Sequence, residues 1–129
     1  MGSRKTRVLV VDDDEVLLEI YRVFLRDFEL LTATNGEEAV RMYSFFKPEI
    51  VLMDISMPVM DGIEATREIL RRDPNAVIVG VTAFASQRGD ELLKTGAREV
   101  IGKPFNRKTL IDVIKKYLDS DASLKSEIQ

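Results

Sequence analysis

The 129-residue sequence contains no cysteine, no histidine and no tryptophan. Lack of Cys excludes disulfides, thiolate catalysis and cysteine metal sites, and lack of His removes the commonest zinc ligand and the usual general base. Redox and zinc chemistry are thereby argued against. An excess of one charge is also missing: 19 basic against 22 acidic residues leave a formal net charge of -3, so there is no electrostatic footprint for nucleic acid. Arg71-Arg72 and Lys115-Lys116 read as solvated helix faces. No apolar run approaches the roughly 18 to 20 residues that a membrane-spanning helix requires. The N-terminus has no signal-peptide core. The expectation is a soluble, cytoplasmic chain with one domain and no membrane partner.

What the sequence has is five short apolar runs alternating with longer amphipathic segments. Arg7–Val11, Glu49–Met53 and Ala76–Val81 lack the in-out alternation of a half-exposed strand, so they read as parallel strands buried on both faces. Phe28–Thr32 and Glu99–Ile101 are more polar at their ends and suit sheet edges. Glu15–Asp27 places Leu17, Ile20, Tyr21, Phe24 and Phe28 at helical spacing. Asn35 with Glu38, and Asp61 with Glu64, have the form of capping boxes at the starts of two further helices. The segment Ser86–Thr95 is the weakest helix, since Gly89 in its interior costs about 1 kcal/mol relative to Ala; Gly96 ends it. Arg107–Leu118, capped by Asn106, is the last. Residues 1–5 read as a tail or cloning remnant, 6–118 as the folded domain and 119–129 as a polar C-terminal tail expected to fray.

Five strand-helix repeats imply right-handed crossovers and a three-layer α/β sandwich with a five-stranded parallel sheet and five helices. Ligand sites in such sheets lie at the carboxyl ends of the strands. Asp12 and Asp13 follow the first apolar run, Asp54 the third, Thr82 the fourth and Lys103 the fifth, so separate segments each deliver a polar group to one edge. Carboxylates gathered there repel one another unless a cation joins them, and a lysine adds a second positive partner for an anion. Mg²⁺ and a phosphoryl group are the ligands this pattern implies.

The blocks Val10-Val11-Asp12-Asp13-Asp14, Asp54-Ile55-Ser56-Met57-Pro58-Val59-Met60-Asp61-Gly62, Val81-Thr82-Ala83 and Lys103-Pro104-Phe105 together resemble the receiver domain of two-component response regulators, over Thr6–Leu118. The resemblance implies a flavodoxin-like sheet of order 2-1-3-4-5. It implies Asp54 as phosphoacceptor from a histidine kinase or histidine phosphotransfer protein. It also implies Mg²⁺ held by Asp12, Asp13, Asp54 and the Ser56 backbone carbonyl. Lys103 would pair with Asp54 and then with a phosphoryl oxygen, behind a cis Lys103-Pro104 bond, while Thr82 and Ala83 would bind the phosphoryl group. Phe84 and Ser56 stand where the family tunes aspartyl-phosphate lifetime. The chain would be a signalling switch with intrinsic autophosphorylation and slow autodephosphorylation, monomeric or dimerising on phosphorylation. A downstream protein target would bind the face formed by strand five and its flanking helices.

One position departs from that pattern. The Tyr or Phe that most receivers carry on strand five is Val100 here, which is stiff at χ1 and has no ring to fill or vacate a pocket. Phe84 and Phe105 are substitutes by nearness. Two other readings compete. An aspartyl-nucleophile phosphatase needs a second acid two residues beyond the nucleophile, where this chain has Ser56. An interaction module that has lost its chemistry would not retain all the acidic and basic residues above. Among those residues, Asp14 and Asp61 read as helix caps rather than chemical groups.

Overall fold

Short apolar runs bounded by turn residues become strands, and the segments with an apolar stripe every three to four residues become helices. In the computed structural model the order is β1 (Arg7–Val11), α1 (Glu15–Phe24), β2 (Glu29–Ala33), α2 (Gly36–Phe46), β3 (Ile50–Met53), α3 (Gly62–Arg72), β4 (Ile78–Thr82), α4 (Gln87–Thr95), β5 (Glu99–Gly102) and α5 (Arg107–Ile128). The structure describes the backbone of residues 5–83 and 87–128 and the side chains of 5–83 and 88–118. All strand pairs are parallel and the sheet order is β2-β1-β3-β4-β5.

Alternate strand residues face opposite layers, so the core is double. Leu9, Val11, Val51, Met53 and Ile78 pack with α2, α3 and Leu92 of α4, while Val8, Val10, Ile50, Leu52, Val79 and Val81 pack with α1 and α5. The central strands β1, β3 and β4 are buried almost throughout, whereas β2 and β5 are half-exposed edges, as their polar ends foretell.

The helix starts follow local chemistry. Asp14 Oδ1 accepts from the N–H groups of Val16 and Leu17, Asn35 from Glu38, Asp61 from Glu64 and Asn106 from Thr109, each satisfying donors the first turn leaves unpaired. In the second of these the Thr34 N–H, one residue outside a standard capping box, donates the return bond to Glu38 Oε1. Gly96 adopts a positive φ of 131° after α4.

Three expectations are corrected in detail. Helix α1 stops at Phe24 instead of Asp27; its buried side chains are Leu18 and Tyr21, with Leu25 buried at the cap that follows and Ile20 38% exposed. Strand β4 begins at Ile78 rather than Ala76, because pairing with β3 starts at Val51 opposite Ile78, and it includes Thr82, opposite Gly102. The backbone of α5 runs past Leu118 to Ile128, since no glycine or proline interrupts residues 107–128. Ser86, the expected start of α4, lies outside the described residues. Among the described residues no helix is long and apolar enough to cross a membrane.

Candidate functional site

Each residue just past a strand end extends the sheet's ladder by one rung. Asp12 N–H donates to Ala33 O at 3.0 Å, Asp54 N–H to Val11 O at 3.0 Å and Lys103 N–H to Thr82 O at 2.8 Å. The backbone bonds that build the sheet thus fix these residues side by side at its carboxyl edge, where parallel α/β sheets bind ligands.

One oxygen from each of Asp12, Asp13 and Asp54 lies within 4.8 Å of the others, with Asp12 and Asp54 buried and Asp13 exposed. Lys103 Nζ donates to Asp12 Oδ2 at 2.7 Å and stands 3.4 Å from Asp54 Oδ1. The sequence reading paired this lysine with Asp54; the structure places it against both carboxylates and nearer to Asp12. Asp12 is thereby satisfied on both oxygens, because its Oδ1 accepts from the Asp14 N–H at 2.9 Å. The Lys103–Pro104 bond is cis.

Burial first, and the Asp12 charge second, push the Asp54 carboxyl up to about 6; the Lys103 charge and the hydrogen bond from the Ile55 N–H oppose them. Burial works against the Lys103 ammonium, but its hydrogen bond to Asp12 and the charges of Asp54 and Asp12 prevail and raise its pKa. Two neighbouring acids and one base thus leave uncompensated negative charge. Three hard oxygen donors in a partly open cluster suit Mg²⁺, which accepts few carboxylates and keeps several waters.

Thr82 closes β4, buried at the same edge, and Ala83 follows it, exposed. Ser56 is exposed in the loop after Asp54. That loop holds Val59 at φ 71°, with Met60 N–H donating to Pro58 O at 2.8 Å, the form of a strained γ-turn. Gly62 is required where α3 begins, because a Cβ there would meet the Asp54 carbonyl oxygen at 1.9 Å.

The chain matches the model of the response regulator receiver domain over residues 8–115. It belongs to the response regulator receiver family. Chemotaxis protein CheY of Thermotoga maritima is 42% identical over 118 residues, covering 85% of this chain and 95% of that protein. CheY of Halobacterium salinarum is 41% identical over 115 residues, covering 87% of this chain and 96% of that protein. A CheY-like receiver from Methanospirillum hungatei superposes with a TM-score of 0.85 at 28% identity, over 92% of this chain and 98% of that one. The receiver domain of a sensor histidine kinase from Pseudomonas aeruginosa superposes with a TM-score of 0.84 at 29% identity, over 91% and 99%; its structure holds a magnesium ion in the active site cleft. Receiver domains are signalling switches, and the acidic pocket of this one is compatible with a phosphoacceptor and Mg²⁺.

Val100 of this receiver packs on the α2–α4 side of the sheet. Phe105 is on the other side, its ring 5.1 Å from that of Tyr21 and 6.3 Å from that of Phe24. It therefore does not stand in for a ring at position 100. Phe84, the other candidate, lies outside the described residues. Sequence reasoning also missed a cleft of about 440 Å³ beside the site, lined by Leu17, Ile20, Phe24, Pro104 and Phe105 together with the polar Asp14 and Lys103. Its signal was the second apolar face of α1, which the helical spacing had assigned wholly to the core.

Proposed function

We propose that this receiver accepts a phosphoryl group on Asp54 and relays it as a change of binding surface. The observation that supports the reading is the meeting of Asp12, Asp13 and Asp54 with the Lys103 ammonium at one sheet edge. Transfer of this kind depends on in-line positioning and charge neutralisation more than on a strong base, so a site without histidine suffices. A carboxylate oxygen of Asp54 attacks the phosphorus of a phosphohistidine, the P–N bond breaks, and the imidazole of the donor departs with the electron pair. Lys103, within reach of Asp54, moves to a phosphoryl oxygen; the Thr82 hydroxyl and the Ala83 N–H donate to the others. Asp12, Asp13, Asp54 and the Ser56 carbonyl would hold Mg²⁺, which when bound supplies the positive charge that offsets the incoming oxygens.

The donor is a histidine kinase or histidine phosphotransfer protein. Beside the cleft, Val16, Ile20 and Val23 are 71%, 38% and 62% exposed and form an apolar stripe on α1 against which a donor helix can lie. The downstream target binds the face of β5, α4 and α5. Intrinsic autophosphorylation from small donors and slow autodephosphorylation complete the cycle.

Incubation with Mg²⁺ and acetyl phosphate, followed by intact mass, tests the reading. The native chain gains one phosphoryl group and Asp54→Asn gains none. No gain on the native chain, or an equal gain on Asp54→Asn, overturns it.

A further inference from the structure

Helix α4 has little holding it. Leu92 is its one fully buried side chain among the described residues, where α1, α2, α3 and α5 each bury two or more large or small apolar groups. Leu92 rests over Gly80, which has no room for a side chain of its own, since a Cβ there would meet Leu92 Cδ2 at 2.4 Å. Gly89, buried in the first turn of α4, faces Val100, whose Cγ1 would be 3.6 Å from a Cβ on that glycine. The seat of α4 is therefore a shallow seam formed where Leu92 and Gly89 meet Gly80 and Val100.

The second tie is polar. Asp61 Oδ1 caps α3 by accepting from the Glu64 N–H at 2.9 Å, while its Oδ2 accepts from Arg88 Nη2 at 2.9 Å in the first turn of α4. Asp61 ends the loop that starts at Asp54 and includes Ser56. Both ends of this loop are held against backbone: Gly62 N–H donates to Ile55 O at 2.8 Å and Gly36 N–H donates to Met60 O at 2.8 Å. Slack in one part of so short and tethered a segment is passed to the rest.

We propose that the Arg88–Asp61 ion pair is a strap through which the phosphoacceptor loop sets the position of α4, so that loading of Asp54 displaces Asp61 from Arg88 and frees α4 for its partner. The inference rests on the phosphoacceptor role of Asp54 for its trigger but not for the strap itself. A hydrogen-bonded pair at 2.9 Å is lost on a shift of about 1 Å, and among the described residues α4 then keeps Leu92 as its one buried anchor. Arg88 is in this sense a positioning residue, acting through Asp61.

Amide hydrogen exchange across α4, with and without Mg²⁺ and acetyl phosphate, tests the strap in the native chain, Arg88→Ala and Arg88→Lys. Without donor, Arg88→Ala exchanges at Leu92 and Leu93 roughly two- to fivefold faster than the native chain, the range set by an exposed ion pair, and Arg88→Lys recovers most of the protection. Unchanged exchange in Arg88→Ala overturns the strap whether or not Asp54 accepts phosphate. With donor, the native chain speeds up in α4 while Arg88→Ala, still phosphorylated by intact mass, changes less than twofold. An undiminished donor response in Arg88→Ala, or none in a phosphorylated native chain, overturns the coupling; absence of the phosphoryl group from the native chain overturns the trigger and leaves the donor-free arm to decide the strap.

Discussion

Thr66 Oγ1 in α3 is, among the described residues, the one buried side-chain oxygen without a hydrogen-bond partner. A buried hydroxyl left unpaired carries its desolvation cost with no return, and valine has the same shape without that cost. Thr66→Val is expected to raise stability by about 1 kcal/mol, read as a higher urea midpoint at unchanged slope; a lower midpoint would show that the hydroxyl has a role in the fold. Other single residues were legible before any coordinates. Asp12, Asp13, Asp54, Thr82 and Lys103 were recognisable because chemistry-bearing groups stood just past apolar runs, and Asp14, Asp61 and Asn106 because short polar side chains precede helical patterns. The preference of Lys103 for Asp12 was not. It depends on which carboxylate lies nearer across the sheet, a matter of about an ångström that spacing along the chain does not encode.

At the scale of elements, the edge strand β5 is clasped to α5 through Glu99. Its Oε1 accepts from Lys116 Nζ at 2.8 Å and from the Tyr117 hydroxyl at 2.7 Å. The hydrogen bond from Lys116, then that from Tyr117, hold the Glu99 carboxyl below its ordinary value of 4.5, while burial and then the hydrogen bond to Glu99 push the Tyr117 phenol up to about 12. A folded-state pKa lower than the unfolded one means that the unfolded chain binds the proton more readily. The clasp therefore contributes fully above the unfolded value and loses its contribution as pH falls through the folded one. In urea titrations from pH 7 downward, the native chain should exceed Glu99→Gln in stability near neutrality, begin to lose that margin as pH falls below the ordinary carboxyl value of 4.5, and converge with it only once pH is below the lowered folded-state value. A gap that stays constant across that range would remove the charge from the explanation. Element type and order were readable from periodicity, and the ends less so. Helix α1 stops early because Leu25 already turns out of helical geometry at the cap, and α5 continues because a polar sequence without glycine or proline gives no stop signal.

For the whole molecule, the clustered carboxylates predict that stability and ion binding are linked. Mg²⁺ that binds the folded chain and not the unfolded one stabilises by mass action, about 2.7 kcal/mol at a concentration one hundred times the dissociation constant. Thermal or urea unfolding should shift accordingly with added Mg²⁺. Asp13→Asn should lose most of that shift yet unfold within about 0.5 kcal/mol of the native chain when the ion is withheld, since Asp13 is exposed. An equal Mg²⁺ response in the variant would place the ion elsewhere. Fold class, a sheet with buried centre and exposed edges, and the residues gathered at its carboxyl edge are all legible along the chain, because hydrophobic period and strand-end position are local properties. That Lys103 bridges two aspartates, that Phe105 packs on the opposite layer from Val100 and that Arg88 reaches Asp61 emerge from three-dimensional packing alone. Those pairings join residues distant along the chain, and their distances follow from how the layers pack rather than from any pattern within one segment.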